Sequence, residues 1–125
     1  MNGPPRPAAV AAAACLVQGL PATPAAARDD VLYLLFQLAA AAADDVDLRR
    51  EVAWGLPVYA EIAETGTDGE RASCIDLLSF CGRFGGEAGR RSVAVLRRMA
   101  EFDGAVATAV AVELADLESD GHLTS

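Results

Sequence analysis

The sequence lacks lysine, contains one histidine and has few aromatic residues. All ten basic residues are arginine, whereas eighteen residues are acidic, so the formal net charge is −8. This charge argues against nucleic acid or an anionic membrane as the main partner, because both require a cationic protein face. The histidine, His122, lies in the predicted polar tail. A histidine-based triad or zinc site would therefore depend on a frayed residue, and we expect no enzymatic activity and no catalytic residues.

Cysteine spacing typical of a metal or redox site is also missing. Cys74 and Cys81 are seven residues apart, which places them about 10 Å apart along a helix, too far to form a disulfide. We interpret these two and Cys15 as small buried apolar residues in a reducing compartment. Several aspartates precede expected helices, where capping explains them without a metal: Asp44, Asp45, Asp47, Asp68 and Asp103. We therefore predict no metal and no cofactor.

No segment of the sequence is long and apolar enough to span a membrane. Residues 1–27 contain Arg6, an apolar run and small residues ending at Ala27, which is the pattern of a secretory signal. The single charge, the crowded prolines and the Gln18–Gly19 interruption disfavour that interpretation. We expect a cytoplasmic protein, with export after cleavage near Ala27 as the minor alternative.

The sequence is instead rich in alanine and other helix formers. Hydrophobic residues make up 53% of the chain and aromatic residues 6%. Alanine has the highest helix propensity, and strand-like alternation is nearly absent. The composition predicts a single all-helical domain over residues 1–125, with an irregular lead-in at 1–7 and a polar tail at 118–125. The excess of alanine and arginine indicates a GC-rich bacterial genome.

Proline and glycine mark the ends of about six expected helices. Their approximate ranges are 8–18, 24–43, 48–63, 69–84, 89–102 and 105–117. Pro57 lies inside the third helix, which we expect to kink or divide there. Thr67 and Glu70 have the spacing of a capping box, with Asp68 as the competing cap. The second helix is apolar nearly all round between Val31 and Ala43, so we expect it to be the most buried element.

The segment WGLPVYAEIAETGTDGERASCIDLLSF resembles an armadillo or HEAT repeat unit. It has the glycine–hydrophobic–proline opening at Gly55–Pro57, an apolar helix, an acidic turn, and a second helix rich in alanine and leucine. The stretch Asp44–Asp47 with LRREVAWGL is similar to the aspartate–arginine–alanine pattern of a HEAT second helix. The resemblance covers residues 29–117 and implies a short α-solenoid of about three helical hairpins. An orthogonal helical bundle is the structural alternative.

The main candidate binding site is an arginine stripe on the fifth helix, formed by Arg90, Arg91, Arg97 and Arg98. Their seven-residue spacing stacks them on one helix face, and Arg83 lies nearby in the sequence. Such a stripe would dock an acidic partner or a phosphate. The alternative is a solvated helix face whose arginines pair with Glu87 and Glu101.

Two further features are candidates for binding. The glycine-rich Gly82–Gly89 loop precedes a helix and would cradle a phosphate there, although it lacks the preceding strand and the lysine of a P-loop. Trp54 and Tyr59 flank the proline break. Both residue types are usually buried, but an exposed Trp54 would be a good contact anchor.

These features support two functional hypotheses. The first is a non-catalytic protein-interaction module that presents a helical-repeat face to a protein or peptide, with an acidic antagonist such as an immunity protein as a narrower version. The second is a small-ligand or anion-binding domain, or an enzyme accessory subunit, which uses the Gly82–Gly89 loop and the arginine stripe. We expect a protein partner, no nucleic acid and no membrane. A homodimer is a further option, because three hairpins leave apolar end faces.

Overall fold

The computed structural model describes residues 6–41, 45–102 and 104–121, and within them it contains seven α-helices and no β-strand. The helices are α1 Arg6–Gly19, α2 Ala25–Ala41, α3 Val46–Ala53, α4 Leu56–Thr65, α5 Asp68–Gly82, α6 Gly86–Met99 and α7 Gly104–Ser119, with a 3-10 turn at Leu20–Ala22. The predicted all-helical fold is therefore confirmed. The seventh helix arises because the expected third helix divides into α3 and α4. Of the residues and segments discussed above, Ala43, Asp44, Asp103, His122 and the outer parts of the predicted lead-in (1–5) and tail (122–125) lie outside the described ranges.

Side-chain caps fix the starts of two helices. Thr67 and Glu70 form the predicted capping box at α5. The Thr67 hydroxyl accepts from the Glu70 amide at 3.2 Å, and the Glu70 carboxylate accepts from the Thr67 amide at 3.0 Å. At α3, the Asp45 carboxylate accepts from the Leu48 amide at 3.1 Å. Both caps satisfy amides that have no partner inside their helix.

The break between α3 and α4, which we call the elbow, depends on a close contact between Gly55 and Tyr59. The buried Tyr59 hydroxyl donates to the Val52 carbonyl oxygen at 2.9 Å and so ties α4 to the last turn of α3. A Cβ on Gly55 would overlap the Tyr59 side chain, with Cε1 only 2.8 Å away. Pro57 is the second residue of α4, where its missing amide hydrogen costs no helical hydrogen bond.

The helices pair into three consecutive hairpins, α1 with α2, the α3–α4 pair with α5, and α6 with α7. A large interface joins α1 to α3 and a small one joins α4 to α6, and we call these helices the first layer. Other principal interfaces join α2 to α5 and α5 to α7, which form the second layer. The apolar core lies between the layers, and its large fully buried side chains include Leu32, Leu35, Tyr59, Leu77, Leu78 and Leu96.

The most buried helix is α5, and our expectation for α2 was wrong. Helix α5 packs against α2, α4, α6 and α7, and eight of its residues are buried. In α2, Leu32, Leu35 and Ala39 are buried, whereas Tyr33 and Leu34 are exposed. The reason is position in the stack, because α2 belongs to the end hairpin and α5 to the middle one. Local apolarity alone does not distinguish these two places.

The burial of the cysteines also differs between the middle hairpin and the end hairpin. Cys74 and Cys81 are free, buried residues of α5, as predicted, but Cys15 is free and exposed. Cys15 lies on α1, in the end hairpin, along an apolar depression of about 490 Å³ between α1 and α2. Among the described residues, no helix has both the length and the apolar character needed to cross a membrane.

Candidate functional site

The arginine stripe lies on the exposed side of α6, but only half of it is paired. Arg91 forms an ion pair with Glu87 at 3.1 Å, one turn earlier on the same helix. Arg98 reaches α4 and pairs with Glu64 at 2.8 Å. Within residues 6–41, 45–102 and 104–121, Arg90 and Arg97 have no ion-pair partner. Two guanidinium groups of the stripe therefore face solvent without a neutralising carboxylate.

Arg83 does not act with the stripe. Its guanidinium donates to the Asp120 carboxylate at 2.8 Å and to the Ser79 hydroxyl at 3.1 Å. Ser79 in turn donates to the Glu113 carboxylate on α7 at 2.7 Å. This chain of hydrogen bonds ties α5 to α7 and to the turn after it. The charge of Arg83 is thus used within the second layer.

Among the residues whose exposure the structure describes, Trp54 is the most exposed large hydrophobic residue, with 68% of its surface accessible. It lies at the elbow, where the backbone carries the chain from α3 into α4. An open groove of about 340 Å³ runs beside it, between the elbow and α6. We call this the elbow groove, and its lining residues are Arg50, Ala53, Trp54, Leu56, Glu87, Ala88 and Arg91.

The elbow groove thus brings together two of the predicted residues, Trp54 and Arg91, from different hairpins. It combines apolar side chains with an indole, two guanidinium groups and one carboxylate, that of Glu87. Tryptophan and arginine are the residue types that most often dominate the binding energy of protein interfaces. An apolar side chain would pack on Trp54 while a neighbouring carboxylate pairs with Arg50 or Arg91. With two guanidinium groups against one carboxylate, which is itself paired with Arg91, the groove suits a segment that carries one apolar anchor and an acidic side chain.

The ion pairs now made by these two arginines are weak competitors for such a partner. Arg50 pairs with Asp47 at 3.4 Å, and all four side chains of the Arg50–Asp47 and Arg91–Glu87 pairs are mostly exposed. Pairs of this kind contribute about 0.2–1 kcal/mol, because water screens them and ordering two long side chains costs entropy. A partner carboxylate can displace them at little cost.

Arg50 was missed by the sequence analysis, although a signal for it was present. It precedes Trp54 by four residues, and residues at that spacing share a helix face. Arg49 was missed as well, and its guanidinium lies 5.9 Å from the centre of the Phe84 ring. That cation–π contact joins α3 to the turn before α6, and no local sequence pattern predicts it.

The predicted Gly82–Gly89 loop is shorter in the structure, because Gly82 ends α5 and Gly86–Gly89 already belong to α6. Its glycines are explained by backbone geometry and packing. Gly85 and Gly86 have φ of 75° and 60°, which side-chain-bearing residues rarely adopt. A Cβ on Gly89 would lie 3.2 Å from the carbonyl oxygen of Gly82, so the small residue lets α5 and α6 approach closely. Glu87 stands in the first turn of α6. Its carboxylate occupies the electropositive end of that helix and would repel a phosphate.

Comparison with known proteins gives no assignment. No family model, curated protein or solved structure matches this chain. We therefore infer function from the chemistry of its own surface.

Three titratable side chains of α5, Cys74, Asp76 and Cys81, have a pKa that their surroundings shift. Burial raises the pKa of both the Cys74 and the Cys81 thiol to about 12, so both stay protonated at neutral pH and are poor nucleophiles. Partial burial, with a smaller contribution from Glu113, raises the pKa of the Asp76 carboxyl above its usual value. In the described part of the chain, no group of three or more histidine, cysteine or acidic side chains is placed to hold a metal ion.

Proposed function

We propose that the protein is a cytoplasmic, non-catalytic interaction module of bacterial origin, built as a short armadillo/HEAT-like array. The packing supports the array, because α1 packs on α3 and α4 on α6, while α2 packs on α5 and α5 on α7. Stacking of equivalent helices from successive hairpins is the arrangement of an α-solenoid. Three free cysteines, one of them exposed, are typical of a reducing compartment.

The partner we propose is an extended acidic segment of another protein, with an apolar side chain that packs on Trp54. The observation that carries this proposal is the exposed indole between Arg50 and Arg91 in the elbow groove. Helix α6 carries four arginines and one acidic residue, although the whole chain has a net charge of −8. A local positive surface on an acidic protein attracts an acidic segment to this place and orients it there.

The other hypotheses have less support. Glu87 disfavours a phosphate at the start of α6, and the elbow groove is open instead of enclosing a small molecule. An acidic antagonist would instead use the acidic side chains of α7, among them Glu113, Asp116 and Glu118. Its basic partner would bind independently of Trp54, which makes the two protein-binding hypotheses separable.

The test is a selection of a displayed random library, with peptides of about twelve residues, on the full chain and on Trp54→Ala. We expect the unmodified chain to enrich peptides with acidic residues beside one apolar residue. Their affinity for Trp54→Ala should fall by about tenfold or more, as for a central contact of an interface. Tyr33→Ala is the matched control, because Tyr33 is an exposed aromatic residue on α2. Enriched peptides that bind Trp54→Ala and the unmodified chain equally would overturn the proposal.

A further inference from the structure

The elbow groove has a neighbour on the other side of α3. A second open depression, of about 490 Å³, lies between α1 and α3. We call it the acidic groove, and its lining residues are Val10, Ala11, Ala14, Asp45, Asp47, Arg50 and Glu51. Arg50 lines both grooves, so the two depressions meet along α3. They follow each other across the first layer in the order α1, α3, α6.

The sign of the charge changes between the two grooves. The acidic groove has three carboxylates and one guanidinium, that of Arg50. Asp45 caps α3 and Asp47 pairs with Arg50, but Glu51 has no ion-pair partner among the residues that the structure describes. Beyond the elbow groove, Arg90 and Arg97 are the unpaired cations of α6. An entirely acidic peptide would fit the elbow groove but would be repelled at Glu51.

We infer that the two grooves form one track for an extended peptide segment whose charge changes sign along its length. A basic side chain lies in the acidic groove near Glu51, an apolar side chain packs on Trp54, and an acidic side chain pairs with Arg91. This inference rests on the proposed function and specifies its partner. The order of charges decides which end of the segment lies over α1 and which over α6.

Helix geometry sets the spacing of this motif. Packed helices lie about 8–10 Å apart, so grooves on the two sides of α3 have centres separated by about one helix diameter. A chain in the extended polyproline II conformation rises about 3.1 Å per residue with three residues per turn, so side chains three positions apart share a face and lie about 9 Å apart. The basic residue of the partner should therefore stand about three positions from its apolar anchor, with the acidic residue on the far side of the anchor.

The test repeats the library selection on the full chain and on two charge variants, Glu51→Arg and Glu118→Arg. Glu118 is an exposed residue of α7, so its replacement changes the net charge by the same amount away from the track. We expect the unmodified chain and Glu118→Arg to enrich peptides with a basic residue about three positions from the anchor. Glu51→Arg should enrich an acidic residue at that position. Glu51→Gln should lower the affinity of the peptides selected on the unmodified chain by about fivefold. This milder variant tests the same contact if Glu51→Arg fails to fold.

The results separate this inference from the proposed function. Suppose that the enriched peptides depend on Trp54, but that the unmodified chain and Glu51→Arg select the same residue at the position facing residue 51. The track is then wrong, and the proposal for the elbow groove is retained. If the enriched peptides do not depend on Trp54, or if none is enriched, both are wrong. Reversal of the preferred charge by Glu51→Arg, with no reversal by Glu118→Arg, supports the track.

Discussion

Replacing Gly55 with alanine should strain the elbow that presents Trp54. The backbone at Gly55 has φ −81° and ψ −3°, which alanine adopts without strain, so any loss must come from the new methyl group. That methyl group would lie 2.8 Å from Cε1 of Tyr59 and closer still to the end of the ring. The ring is fully buried and cannot swing into solvent. Either the ring or the backbone of the elbow must move.

The expected magnitude follows from what that movement breaks. The hydrogen bond from Tyr59 to the Val52 carbonyl oxygen contributes about 1 kcal/mol net. Overpacking a filled core costs about 1–3 kcal/mol. Alanine has less conformational freedom than glycine in the unfolded chain, which offsets about 0.4–1 kcal/mol of this loss. We therefore expect Gly55→Ala to lower the free energy of unfolding by about 1.5–3 kcal/mol, a fall in Tm of about 5–10 °C for a chain of this size.

Gly19 provides a matched control. Its φ of −82° and ψ of −16° are nearly those of Gly55, but nothing lies within 4 Å of a Cβ placed there. Gly19→Ala should therefore leave stability unchanged or raise it by up to about 1 kcal/mol. Urea unfolding followed by circular dichroism gives the free energy for both variants. The double variant Gly55→Ala with Tyr59→Leu should lose less unfolding free energy than the two single variants lose together, by about 1 kcal/mol or more, because the shorter side chain relieves the clash. Equal stability of Gly55→Ala and Gly19→Ala would refute this account of the elbow.

Three further predictions concern single side chains. The pKa of Asp76 is raised in the folded state, so its ionised form destabilises that state. Asp76→Asn should therefore raise Tm at pH 7. The advantage should disappear near pH 3, below the usual aspartate pKa of 3.8, where Asp76 is protonated in both states. The exposed Asp116→Asn is its control in thermal melts. Thr67→Ala should lower the free energy of unfolding by about 1 kcal/mol in urea titrations, because it removes the α5 cap. A thiol reagent at pH 8 should label Cys15 rapidly and the two buried cysteines only on unfolding; three rapid thiols would contradict their burial.

Local chemistry made much of this fold predictable. The division near Pro57 follows from helix-breaking residues, and the Thr67–Glu70 and Asp45 caps follow from spacing within one turn. The central position of α5 could not be predicted in this way. It depends on which helices meet after the chain folds back on itself, and the apolar pattern of α2 gave no indication of its place at the end of the stack.

The candidate site was predictable to a similar extent. The repeat of seven residues correctly placed the arginine stripe on one exposed face of α6. Which arginines are neutralised depends on distant residues, since Arg98 pairs with Glu64 on α4, and Arg83 with Asp120 after α7. The meeting of Trp54 with Arg91 likewise requires the packing of two hairpins. Sequence spacing within one helix carries no information about such pairs.

The most direct test of the elbow groove uses Trp54 itself, which is the only tryptophan of the chain. Its emission reports on this one surface and should shift to shorter wavelength when an apolar side chain covers the exposed indole. We expect a selected peptide to produce a saturable blue shift on the full chain. Arg91→Glu should weaken the fitted affinity by about tenfold or more, and Glu118→Arg should leave it unchanged. A peptide that binds by fluorescence anisotropy of its own label, yet leaves the Trp54 emission unchanged, would contradict the elbow groove as the docking site.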